Sequence, residues 1–309
     1  YVLSLLETGR DFLTESDSGH VDLPRARRGN VAAMLSAVFI RDAYLPGQAL
    51  ARTLRAVDRL LEMIAASGGR MQLVTNVAEL ERCLRDGTFG AILHFEGAEA
   101  IDPEFAVLRL GYRLGLRSLG LTWSRPNIYA EGVGPEDRGR GLTQLGRALV
   151  RACNELGVLL DVSHLNDAGF WDVIECSTQP VVASHSNCRA LCPVPRNLTD
   201  EQIRALAAKG GLLGINFHVG FLRAGAERPE DVSLGDVIAH IDHVAELVGV
   251  DYVAFGSDFD GATMPRDLPD VAALPRLVEA LLRHGYDDAA VSKICYENWL
   301  RVFRTVWQA

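Results

Sequence analysis

Seven short apolar runs recur along the chain, and none alternates cleanly between polar and apolar residues. They are "VAAMLSAVFI" (31–40), "GAILHFEG" (90–97), "GLRSLGLTW" (115–123), "GVLLDVSH" (157–164), "PVVASHS" (180–186), "GLLGINFH" (211–218) and "DYVAFGSDFDG" (251–261). A strand with one wet face alternates with period two, whereas an unbroken apolar strand is buried on both faces, as in a parallel sheet covered by helices. The intervening segments have helical period. One sets Leu142, Leu145, Leu149, Cys153 and Leu156 on one face and closes at Gly157. Another opens on a capping box from Thr199 to Gln202, turns Ile203, Leu206 and Ala207 inward, and stops at Gly210 and Gly211. A third, "LGDVIAHIDHVAELVG", carries Val237, Ile238, Ile241, Val244, Ala245 and Val248 inward.

Seven strand–helix units predict an α/β fold one unit short of a (β/α)8 TIM-type barrel, with the first strand just before or across residue 1. An open doubly wound sheet is the competing architecture. The barrel is preferred because polar residues gather at the C-terminal ends of nearly every run, where barrel active sites are built. No linker or internal repeat interrupts the pattern, so residues 1–309 are expected to form a single domain.

Composition narrows the partners. The net charge of −9 argues against a nucleic-acid surface, which needs clustered Lys and Arg. No run approaches the ~18 apolar residues that span a bilayer, so no membrane partner is expected. Six cysteines stand at 83, 153, 176, 188, 192 and 295, and the one close pair, Cys188 and Cys192, lacks CxxC spacing. They read as reduced thiols in a reducing compartment, which predicts a cytoplasmic location.

The run ends supply Glu96, Trp123, His164, His185, Asn216 and Asp258. Two successive runs stop on a Ser-His pair, Ser163–His164 and Ser184–His185. A lone strand-end histidine is ordinarily a hydrogen-bonded cap. Two on consecutive strands with acidic partners on either side form a ligand set for zinc or a similar divalent ion. His94 shares the face of Glu96 one layer deeper and reads as a bystander, and His218 could line the mouth. His240, His243 and His284 fall on helical segments as packing or surface residues. The "DFDG" at 258–261 lacks the remaining ligands of a calcium loop, and neither a GxSxG elbow nor a phosphate-binding loop occurs. The two lysines, Lys209 and Lys293, lie away from strand ends, so a carboxylated lysine cannot bridge two ions here, whereas Glu96 can.

The collinear stretches "HFEGAEAI", "GLTWSRPN", "GLTQLGRALV", "LLDVSHLNDAGFWDV", "VVASHSNCRAL", "PRNLTDEQIRALAAKGG", "DYVAFGSDFDG" and "NWLRVF" resemble the renal (membrane) dipeptidase family of amidohydrolase-type barrels. The resemblance runs from about residue 18 onward and implies a barrel with two zinc ions per subunit that hydrolyses dipeptides and tolerates a C-terminal D-residue. It implies that Glu96 bridges both zincs, that His164 and His185 ligate the second, and that Asp258 hydrogen-bonds the bridging water. Arg196, in "PRNLTD", would take the substrate carboxylate, with Trp123 and Asn127 as further substrate contacts. The expected chemistry is attack of a metal-bridging hydroxide on the scissile amide, with Asp258 passing a proton to the leaving amine. A homodimer is the assembly the resemblance suggests.

Two departures stand out. Some members carry a substrate-contacting histidine where this chain has Trp123. The family's first strand ends in a His-x-Asp pair; "GHVD" offers His20 and Asp22, but it resembles the segment leading into the second strand, which places the first ligand pair upstream of Tyr1. Two other readings therefore accompany the dipeptidase: a related amidohydrolase acting on another amide or lactone, and a non-catalytic metal-binding relative.

Overall fold

The computed structural model describes residues 7–307; the start of the "YVLSLLETG" segment, residues 1–6, lies outside the described residues, as do 308–309. All seven apolar runs form strands: β1 (Ala33–Val38), β3 (Phe89–Glu96), β4 (Leu116–Gly120), β5 (Leu159–Asp161), β6 (Val181–Ser186), β7 (Leu212–Asn216) and β8 (Val253–Ser257). They pair in parallel in that order, with helices between them, giving the curled sheet of a TIM-type α/β barrel. One strand was not legible as a run. β2 (Met71–Leu73) has three residues, pairs with the start of β3 and contains Gln72, whose side chain donates to Glu79 O. Among the described residues β1 and β8 do not pair with each other, so the sheet curls without closing.

The unalternating runs are buried as expected. Every residue of β5, β6 and β7 is buried, and seven of the eight in β3. The helix Gln144–Leu156 is capped by Thr143 and ends at Gly157, in the left-handed region at φ 73°. Its buried face is turned slightly from the expected one: Leu149, Val150 and Cys153 are buried, while Leu145 and Leu156 are half-buried. Full burial of each such aliphatic side chain is worth roughly 1.5–3 kcal/mol. The capping box at Thr199 and Gln202 forms as predicted and starts the helix Asp200–Ala208.

Two features shape the end of the barrel where the site lies. The ladder slips between Leu93 and His94, between Ala183 and Ser186, and between Ile215 and Asn216, each one to three residues from a strand end. Such bulges re-aim the side chains that follow. At Gly214 and Gly256 the backbones of β6, β7 and β8 come too close for any side chain: a Cβ would lie 2.1 Å from Ser184 O at Gly214, and 2.4 Å from it at Gly256. Beyond β8 the chain turns through Ser257, Asp258 and Asp260 at φ 72°, 81° and 64°, a left-handed conformation costing about 1–2 kcal/mol per non-glycine residue.

Candidate metal centre and substrate cleft

Because parallel strand ends and the loops that follow them converge on one mouth, Glu96, Trp123, His164, His185 and Asp258, together with Arg196 from the loop after β6, all line one cleft. At its floor His164 Nε2 lies 2.9 Å from Glu96 Oε1 and 3.1 Å from His185 Nε2, and His185 Nε2 lies 3.5 Å from the same carboxylate oxygen. These are the spacings of ligands around one small cation. A tetrahedral zinc with bonds of about 2.0–2.1 Å separates its ligands by about 3.3 Å. The donor set, two imidazoles and a carboxylate, suits zinc. Among the described residues, Glu96, His164 and His185 form the one group of three able to hold an ion.

The electrostatics agree with a ligand set. Burial alone would raise the Glu96 carboxyl, but the His164 and His185 imidazoles against it hold it well below the usual carboxylate range. Burial, reinforced by the Arg196 charge, lowers His164 to about 3, so this imidazole is neutral at physiological pH. His185 moves the other way, because Glu96 and Asp258 outweigh burial and Arg196. The opposite directions follow from proximity: two rings whose nitrogens meet at 3.1 Å cannot both carry charge.

Arg196 is the unusual group. It is 5% exposed, its Nη1 donates to Ser186 Oγ at 2.5 Å and its Nη2 to His164 Nε2 at 3.3 Å. Its Nε has no hydrogen-bond partner. Asp258, Asp161 and Glu96 are near enough to act on its charge, yet none pairs with it, and burial pushes its pKa down. A buried guanidinium without a carboxylate partner leaves its charge available to an anion.

Around this centre, Trp123 packs between Phe39 and His164, with ring centroids 4.9 and 5.6 Å away. Asp258 is held by Asn216 Nδ2, which donates to its Oδ2 at 2.9 Å. Asn127, expected to contact substrate, is engaged with backbone. Its Nδ2 donates to Leu121 O and its Oδ1 accepts from the Tyr129 and Ala130 amides, so it folds its own loop, and it does not line the cleft. His20 and Asp22 do not join the metal-binding group. His20 Nδ1 accepts the Asp260 amide at 2.9 Å, while Asp22 caps the helix Leu23–Arg28 and pairs with Arg25. His94 is buried one layer down against Ser118, and His218 does line the cleft. Lys293 pairs with Asp251 at 2.7 Å, away from the centre.

The sequence model for membrane dipeptidases (peptidase family M19) matches residues 2–309. The chain belongs to the membrane dipeptidase family. It is therefore a hydrolase of the metallo-dipeptidase type. An uncharacterized protein from the pqqA 5' region of Klebsiella pneumoniae is 43% identical over 269 residues, 85% of this chain and 99% of that protein. The dipeptidase tcpJ of Claviceps purpurea is 31% identical over 306 residues, covering 95% of this chain and 71% of its own length. A metallopeptidase from Rhodobacter sphaeroides, solved with a phosphinate mimic of the dipeptide L-Ala-D-Ala, superposes with TM-score 0.95 at 38% identity over 99% of this chain and 97% of its own.

Sequence reasoning missed the supporting groups of the family's site in this chain. Ser124 meets His164 Nδ1 at 2.9 Å, and Ser184 meets His185 Nδ1 at 2.7 Å. The repeated Ser-His ending was the available signal, but it does not show which atoms its serines reach.

Proposed function

We propose that the chain is one dipeptidase domain, 1–309, that hydrolyses free dipeptides, including those with a C-terminal D-residue. Glu96, His164 and His185 are its zinc ligands, Glu96 being shared with a second ion. Zinc held by these ligands would supply Lewis acidity and activate a water for attack on the amide. The observation that carries the substrate reading is Arg196, a buried, unpaired guanidinium whose Nη2 lies 3.3 Å from a ligand nitrogen. In a dipeptide the terminal carboxylate lies one residue from the scissile carbonyl, within about 3.8 Å. An anion site this close to the reacting centre selects peptides cut one residue from a free carboxylate, and the dipeptidase family to which the chain belongs limits the other side to a single residue. A lactone has no group for it.

The remaining residues take roles that their geometry supports. Trp123 walls the cleft beside His164. Asn127 contributes indirectly, by holding the loop that carries Ser124. Asp258, with Oδ2 held by Asn216, keeps Oδ1 as the atom that takes the proton from the attacking water and returns it to the leaving amine. Tolerance of a D-residue draws on the R. sphaeroides relative, which holds an L-Ala-D-Ala mimic. The six cysteines are free thiols, four of them buried, which favours a reducing, cytoplasmic setting.

The test is elemental analysis of zinc per chain together with hydrolysis of L-Ala-D-Ala, its C-terminal amide and a tripeptide. Hydrolysis of the free dipeptide alone, with zinc and activity lost together in Glu96→Gln, is the expected result. Equal turnover of all three substrates, or unchanged zinc content in Glu96→Gln, refutes the reading.

A further inference from the structure

The two Ser-His strand ends are not equivalent, and the difference lies behind the ligands. Asp161, the last residue of β5, is 3% exposed and accepts from both serines. Its Oδ1 takes the Ser163 amide at 3.0 Å, Ser163 Oγ at 2.7 Å and the Ser184 amide at 2.9 Å; its Oδ2 takes Ser184 Oγ at 2.5 Å. His94 also faces it, with Nε2 3.7 Å from Oδ2 and without hydrogen-bond geometry, and His185 and Arg196 are near enough to act on its charge.

A count of hydrogens fixes the direction of the next bond. A carboxylate only accepts, and a serine hydroxyl has one proton to give. Ser184 gives its proton to Asp161, so at its 2.7 Å contact with His185 Nδ1 the hydroxyl oxygen must accept and the ring nitrogen must donate. His185 is thereby held as the Nδ1–H tautomer, with Nε2 aimed at His164 and Glu96. Ser163 Oγ also accepts the His185 amide at 3.1 Å, which fixes the backbone of the same residue. His164 has no such backing: its Nδ1 meets the hydroxyl of Ser124, from the loop after β4.

We infer that Asp161 and Ser184 act as a positioning pair for His185, an Asp–Ser–His relay that fixes tautomer and ring orientation and so sets zinc affinity at this centre. The inference rests on the proposed ligand role of His185. Groups that orient a ligating histidine typically change metal affinity by about 10–100-fold when removed.

The test is zinc titration of the chelator-stripped full chain against a competing chromophoric chelator, for the parent, Ser184→Ala, Ser184→Thr and Glu96→Gln. Nitrogen-15 NMR of the His185 ring in the metal-free parent accompanies it, at alkaline pH so that this imidazole, raised by Glu96 and Asp258, is neutral. Ser184→Ala should bind zinc about 10–100-fold more weakly and also lower the metal-free Tm, because buried Asp161 Oδ2 loses its hydrogen bond; Ser184→Thr should restore both, and the parent should show protonated Nδ1 with bare Nε2. An affinity in Ser184→Ala within about threefold of the parent overturns the relay while leaving the ligand assignment intact, provided Glu96→Gln still weakens binding. If Glu96→Gln also leaves affinity unchanged, the ligand assignment falls and the relay with it. An Nε2–H tautomer in the parent overturns the relay with no variant needed, so the test survives a variant that fails to fold.

Discussion

Replacing Arg196 by Met keeps most of the apolar stem and removes the guanidinium, which isolates the anion-binding role. The side chain is 5% exposed, so solvent screens it little. Removing one partner of a buried charged pair costs about 3–5 kcal/mol, here in the enzyme–substrate complex, where the substrate carboxylate is left without its counter-charge. At about 1.4 kcal/mol per decade that is a loss of roughly 100- to 4000-fold in kcat/KM for a free dipeptide. The free protein should behave differently. Arg196 has no carboxylate partner and an unpartnered Nε, so its burial works against folding, and Arg196→Met should melt no lower than the parent. The assay compares kcat/KM for L-Ala-D-Ala and for its C-terminal amide in both proteins. The parent should prefer the acid strongly, and the variant should process both at the parent's slow rate for the amide. A variant that keeps the parent's preference, or loses both substrates equally, refutes the argument, since the first denies the contact and the second makes it structural.

Two more outcomes follow from the same geometry. Asp258→Asn preserves the hydrogen bond to Asn216 but removes the base, so kcat should fall about 10²- to 10⁴-fold with KM and zinc content nearly unchanged; near-parental kcat would contradict the proton-transfer role. Burial holds His20, His94, His164 and His240 below their ordinary pKa of 6.5, while His185 alone is raised by Glu96 and Asp258 against its own burial. A depressed imidazole stays neutral in the fold while its unfolded counterpart takes up a proton, so stability is lost as pH falls below 6.5, and four such groups outweigh one of opposite sign. The metal-free protein should therefore melt progressively lower from about pH 7.5 to about pH 5.5, and a flat or rising Tm across that range would rule this balance out.

Much of this was legible in one dimension. The unalternating runs announced buried parallel strands because burial on both faces removes the reason to alternate. Glu96, His164, His185 and Asp258 could be picked out because a polar residue ending a core strand is out of place unless it faces something. Arg196 and Trp123 came through the family resemblance, and the cleft contains both. Asn127 came by the same route, and its backbone bonds show only in the fold, where it satisfies groups two and three residues away. β2 escaped because Gln72 breaks its short apolar stretch, whereas the equally short β5 sits inside a longer apolar run.

The sequence by itself determined the parallel α/β architecture, the strand ends that bear chemistry and the ligand types available, since these follow from hydrophobic pattern and side-chain identity. Tertiary structure alone decided which atoms meet. The ladder slips near Glu96, His185 and Asn216 turn side chains toward a common centre, and they depend on how neighbouring strands pair. Likewise, only the folded chain shows Asp161 gathering Ser163 from the turn after β5 and Ser184 from β6, Asn216 holding Asp258, and Arg196 buried without a counter-ion. Hydrogen bonds are set by angles and tenths of an ångström across residues far apart in the chain, and a one-dimensional pattern carries no such distances.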